Sequence, residues 1–101
     1  MYKLTVLYEH PDKPEHFEKY YKEKHIPLAQ QMVGVSDIEL TKFDSTSGGE
    51  KPSYYRMAEI YFVSREAMAE TMASPKGQEV IDDLLNFATG GVKVLLGTDN
   101  K

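Results

Sequence analysis

Residues 2–9 (YKLTVLYE) alternate between apolar and polar positions and are rich in Tyr, Val, Leu and Thr, which predicts a β-strand. His10-Pro11-Asp12-Lys13-Pro14 breaks that pattern, and Asp12 and Glu15 have the spacing of a capping box ahead of a helix. Phe17, Tyr21, His25, Leu28 and Met32 then follow at helical steps and define one apolar face. Pro27 lacks the N–H that an α-helix would give to the Glu23 carbonyl, so a kink or an end is expected near His25. Residues 35–43 read as a second strand, and residues 44–53 (DSTSGGEKPS) as a mobile polar loop. Residues 54–63 (YYRMAEIYFV) predict a third strand, apolar on both faces. Ser64 is placed to cap a helix over about 65–73, and Ser74-Pro75 restarts one whose stripe is Val80, Ile81, Leu84, Leu85 and Ala88. Gly90-Gly91 ends it before a last strand from Val92 to Leu96.

The order β-α-β-β-α-β is the ferredoxin-like pattern: an α+β fold with a four-stranded antiparallel sheet and helices on one face. One face of the third strand carries Tyr55, Met57, Tyr61 and Val63, and the other carries Tyr54, Ala58, Ile60 and Phe62. Whichever set turns away from the helices is too apolar for water, so a second copy of the chain is the expected cover, in a homodimer. At 101 residues the chain is one domain, 1–101, with no room for two cores.

Charge and composition exclude more than they select. Twelve Lys and Arg against sixteen Asp and Glu give a net charge of −4, which argues against a nucleic-acid partner. The chain has no cysteine, so thiolate nucleophiles, disulfides and Cys-ligated metals are excluded. His10, His16 and His25 lack metal-pair spacing, and Gly48-Gly49 and Gly90-Gly91 fit neither a dinucleotide fingerprint nor a phosphate loop. No metal or organic cofactor is therefore expected. No apolar run is long enough for a signal core or a membrane span, so a cytoplasmic protein without a membrane partner is the expectation.

The residues left to carry chemistry are few. His25 sits on the first helix's apolar face next to the Pro27 break; it is either a core histidine bonded to backbone or a general base. Glu59, between Ala58 and Ile60, either orients that imidazole or pairs with a cation such as Arg56 or a lysine. The seven tyrosines, Tyr8, Tyr21 and Tyr61 among them, either fill the core or line a pocket for an aromatic or lactone-like ligand. The acidic pair Asp82-Asp83 reads as a solvated helix face.

The segment Tyr20-Tyr21-Lys22-Glu23-Lys24-His25-Ile26-Pro27-Leu28 resembles the EthD family, whose signature is an aromatic, a few charged residues and His-x-Pro-Leu at the end of the first helix. Ala58 to Phe62, Ala73 to Gly77 and Asp83 to Phe87 look like its third strand and helical segment, so the resemblance spans nearly the whole chain. It implies a ferredoxin-like protomer assembled as a dimeric α+β barrel. The family takes its name from a degradation pathway for an ether fuel additive, and related barrels include lactone isomerases, cofactor-free monooxygenases and haem proteins. The resemblance favours a functional His25 and makes Glu59 and Phe87 pocket walls. The resulting expectation is a cofactor-independent enzyme acting on a small aromatic, lactone or carbonyl compound. His25 and Glu59 would be its catalytic residues, and Tyr8, Tyr21, Tyr61 and Phe87 would bind the ligand. The alternative is a non-catalytic module that binds a small ligand, or an accessory subunit, with His25 sealed in the core. Haem binding would need His25 to open into a large apolar cavity.

Overall fold

A computed structural model describes residues 1–100. Four strands form one antiparallel sheet in the order β2-β3-β1-β4, with β1 spanning Tyr2–Tyr8, β2 Asp37–Lys42, β3 Arg56–Phe62 and β4 Val92–Thr98. The helices lie on one face, so the ferredoxin-like α+β class read from the sequence is the fold observed. Register assigns every strand position to a face. Leu4 pairs with Ile60 and Leu96, and Val6 pairs with Ala58 and Val94, so these side chains share the face beneath the helices. Lys3, Thr5 and Leu7, with Met57, Glu59 and Tyr61, take the other face by the same alternation. Tyr55 precedes β3 and escapes its alternation. It is buried on the helix side, with its ring 5.1 Å from Phe17.

The first helical rod has three parts: α1 (Pro14–Tyr20), a π-helical turn over Tyr21–His25, and α2 (Ile26–Ala29). The expected kink is thus a change of pitch. Continuing the α ladder would set the Pro27 ring against the Glu23 carbonyl with no N–H to bond it. Widening the turn ahead of it, with the Ile26 N–H reaching Tyr21 O five residues back, keeps the rod continuous. The buried face shifts with it: Phe17, Tyr21 and His25 are followed by Ala29 and Met32, leaving Leu28 half-buried. The capping box does not form. Lys13 holds the N-cap position without a side-chain bond, and the Asp12 N–H is taken by Thr89 Oγ1 at 3.3 Å.

Ser64 caps α3 (Arg65–Ala73) and Ser74 caps α4 (Pro75–Asp83), accepting from the N–H of Ala67 and Gly77. Gly77 is required by proximity, because a Cβ there would lie 2.2 Å from the Thr71 carbonyl oxygen. After α4 the chain tightens into a 3₁₀ turn, Leu84–Asn86, and passes through Gly91 at φ +99° into β4. That tightening changes the stripe expected here. Val80 and Phe87 are buried, whereas Leu85 faces solvent. Tyr8, Phe17, Phe62 and Phe87 are the largest fully buried side chains. Each contributes roughly 1.5–3 kcal/mol by burial, and three of them meet edge-on or tilted within 6 Å. In the 44–53 segment Thr46 and Glu50 close a tight turn, and His10 Nε2 lies 2.8 Å from Pro52 O. No helix among the described residues is long and apolar enough to cross a membrane.

Candidate functional site

The π turn sets Tyr21 and His25 on the buried face of the rod, their rings nearly parallel at 15° and 6.0 Å apart. The chain after α4 closes over them, bringing the Phe87 ring to 4.5 Å from the His25 imidazole. His25 is only 4% exposed. Its Nδ1 lies 2.9 Å from Asp83 Oδ2, and Asp83 Oδ1 accepts from Tyr20 Oη at 2.6 Å and Asn86 Nδ2 at 2.9 Å. One carboxylate at the end of α4 thus collects three donors, from the first rod and from the turn beside it.

Burial lowers the His25 pKa from its ordinary value and outweighs the opposing pull of the Asp83 carboxylate. Burial pushes Asp83 the other way, but hydrogen bonds from Tyr20, Asn86 and His25 overcome it and hold the carboxyl below its usual range. At neutral pH the pair is therefore a carboxylate and a neutral imidazole. The acceptor at Nδ1 fixes the tautomer: Nδ1 carries the hydrogen and donates to Asp83, and the lone pair is left on Nε2.

His25 forms part of the wall of a cavity of about 140 Å³ between the sheet and the helices. Leu4, Val6, Tyr8, Ala58 and Ile60 form its floor, and Ile26, Ala29, Val80 and Leu84 its roof. Val94 and Ile81, 48% and 41% exposed, are the lining side chains most open to solvent and mark where it reaches the surface. A space of this size suits a single ring and is too small for a porphyrin. Burial raises the pKa of Tyr8 well above the usual phenol range and pushes that of Tyr21 up to about 12, so both stay protonated. The Tyr21 hydroxyl is buried without a hydrogen-bond partner of good geometry, and the neighbouring Tyr8 phenol, its ring 5.5 Å away, acts against burial in setting its pKa. Arg56 lies over the Tyr21 ring at 5.0 Å and is held there by a two-pronged bond to Glu18.

Of the residues singled out from the sequence, His25 and Tyr8 line the cavity, while Tyr21 and Phe87 pack against those two rings without reaching its wall. Glu59 and Tyr61 lie away from it. With Ala58 and Ile60 facing the helices, strand alternation sends 59 and 61 through to the opposite face. There Glu59 pairs with Lys3 at 2.7 Å, and Lys3 Nζ sits 5.8 Å above the Tyr61 ring. The carboxylate beside His25 is Asp83, which the acidic pair 82–83 concealed: Asp82 is solvated, but Asp83 lies three residues beyond Val80 on the buried side of α4. No residue of 44–53 lines the cavity. Among the described residues no group of three or more His, Asp or Glu is placed to hold a metal ion.

Residues 10–91 match the EthD domain. The chain is 42% identical over 95 residues, 94% of its length and 91% of the relative's, to an uncharacterized 11.0 kDa protein of the thcB–thcC intergenic region of Rhodococcus erythropolis. Among solved structures it superposes on an ethyl tert-butyl ether D (EthD) family protein from Bacillus halodurans with a TM-score of 0.92 at 28% identity, covering 98% of both chains. The same fold recurs at 15% identity and a TM-score of 0.66 in a cofactor-independent oxygenase from Streptomyces nogalater, over 99% of this chain and 92% of that one.

Proposed function

The chain belongs to the EthD family, and from that premise we propose that it is a cofactor-independent small-molecule enzyme in which Nε2 of His25 is the general base. The observation that carries this is the His25–Asp83 pair at 2.9 Å on the wall of an otherwise apolar cavity. Nε2 removes a proton from the bound ligand, and the ionised Asp83 stabilises the imidazolium that forms. Returning the proton to a different atom gives an isomer. Dioxygen would be the co-substrate where the deprotonated ligand is oxidised instead, an outcome the fold shared with a cofactor-independent oxygenase supports. The cavity's depth explains the low His25 pKa, since a base that is neutral at pH 7 is ready to accept. Tyr8 lines the pocket, while Tyr21 and Phe87 pack against the imidazole and hold it in place. Asp83 takes the orienting role first assigned to Glu59.

The assembly in this reading is a homodimer through the sheet face turned away from the helices. That face carries Leu7, Met57, Tyr61 and Leu95, with Asp37 and Glu39 towards the β2 edge and Lys93 on β4. Under a twofold axis the acidic β2 edge of one copy is brought over β4 of the other, whose one cation is Lys93, so the two strands' charges oppose rather than repel.

The direct test compares wild-type protein with His25→Ala over a panel of single-ring phenols and enolisable ketones, reading solvent deuterium incorporated at carbon by NMR. Incorporation by the wild type that disappears in a folded His25→Ala variant is the expected result. Equal incorporation by both proteins would overturn the assignment.

A further inference from the structure

The wall of the cavity restricts what can occupy it. Of its fifteen lining residues only Tyr8 and His25 carry a polar side-chain atom; the rest are aliphatic or thioether. No lysine, arginine or acid reaches it. Arg56, the guanidinium near Tyr21, is committed to Glu18 at 2.7 and 2.9 Å. An anion entering here would lose its hydration with nothing to replace it. A molecule with several hydroxyls would leave most of them unbonded at about 1–3 kcal/mol each. The size bound is equally tight: a cavity of about 150 Å³ with apolar walls holds a benzene-sized molecule, and this one is about 140 Å³.

The remaining polar group must match one lone pair. Since Nδ1–H of His25 is given to Asp83, Nε2 can only accept, and a ketone, ester or ether oxygen would face it without a hydrogen to share. We infer that the occupant is a neutral molecule of single-ring size whose one polar group is a hydroxyl, a phenol or a cyclic enol or alcohol, donating to Nε2 of His25. This rests on the reading of His25 as an unprotonated base and narrows the compounds it can act on.

The experiment measures binding of phenol, toluene, anisole and benzoate by calorimetry and by chemical-shift changes. Toluene is the isostere of phenol without the hydroxyl, anisole offers only an acceptor, and benzoate is the anion. Wild-type protein, His25→Leu and Val94→Trp are compared, the last narrowing the mouth at an exposed position. Phenol is expected to bind at least tenfold more tightly than toluene or anisole, with no binding of benzoate. In His25→Leu the phenol-to-toluene ratio falls to about one, and in Val94→Trp both bind weakly or not at all. Should His25→Leu not fold, the His25 Nε2 resonance of the wild type gives the same answer by moving with phenol and not with toluene. Toluene or anisole binding as tightly as phenol, benzoate binding, a phenol preference that survives His25→Leu, or no binding by any of the four would each overturn the inference. A His25-dependent phenol preference without His25-dependent deuterium incorporation would refute the catalytic reading and leave the ligand class standing. Incorporation into ketones without that preference would do the reverse.

Discussion

Asp83→Ala removes the acceptor at the centre of the site, and its cost follows from the three bonds that end there. His25 Nδ1–H is left buried with no partner, a loss of about 1–3 kcal/mol. Tyr20 Oη is half-buried and recovers water in part, so its bond at 2.6 Å adds roughly 0.5–1 kcal/mol. Asn86 is exposed and adds nothing measurable. The sum is about 2–4 kcal/mol, a drop in Tm of roughly 10–20 °C for a domain of this size. A double-mutant cycle isolates the pair. In a His25→Leu background only the Tyr20 portion is left, so the cost of Asp83→Ala, read from urea denaturation, shrinks by about 2 kcal/mol. Asp82→Ala, one residue away and solvated, is the control and changes stability by less than about 0.5 kcal/mol. A coupling below about 0.5 kcal/mol would show that the imidazole does not depend on this carboxylate.

Three further outcomes follow from named contacts. Because burial lowers the folded His25 pKa below its ordinary 6.5, the unfolded chain takes up the proton first as pH falls. Stability contributed by neutral His25 is complete above pH 6.5 and declines below it, towards the lower folded value. Denaturation at pH 7 and pH 5 should show that loss in the wild type and not in His25→Leu; a wild type that gains stability towards pH 5 would contradict it. Gly77→Ala should destabilise the chain by about 1–3 kcal/mol although alanine is the better helix former by about 1, because the added Cβ meets the Thr71 carbonyl and the Met72 backbone. Unchanged thermal stability would show that the α3–α4 junction can open. Leu95→Glu combined with Met57→Glu should convert a dimer in sedimentation analysis to a monomer that retains the His25–Asp83 pair, and a monomeric wild type would refute the proposed interface.

Most of the fold was legible because local signals and burial agree. Alternation marks β1, a run of aromatic and apolar residues marks β3, Ser64 caps where expected and a helix restarts at Ser74-Pro75, and the apolar face of the first rod includes His25. The site was legible only in part. Asp83 stands 58 residues from His25, and beside Asp82 it resembles any solvated acidic pair; its place three residues after Val80 was the one signal that it turns inward. Glu59 misled for the opposite reason. A carboxylate flanked by Ala58 and Ile60 looks buried in a list of residues, while the strand's period of two puts it on the far face with Lys3. The π turn leaves no composition signal beyond Pro27, whose missing N–H predicts a disturbance but not its form. Tyr55 shows the same limit, since a strand beginning at Arg56 cannot dictate where the residue before it points.

The central claim is that His25 presents a lone pair on Nε2 because Asp83 holds the hydrogen on Nδ1. The ¹⁵N shifts of the His25 imidazole, followed from pH 8 to pH 4, test it without any substrate. The account predicts an unprotonated Nε2 and a protonated Nδ1 at pH 7, a midpoint below 6.5, and an inverted tautomer in Asp83→Asn, whose amide can offer Nδ1 a donor while its oxygen keeps Tyr20 and Asn86. A hydrogen on Nε2 at pH 7, or a midpoint above 6.5, would contradict it.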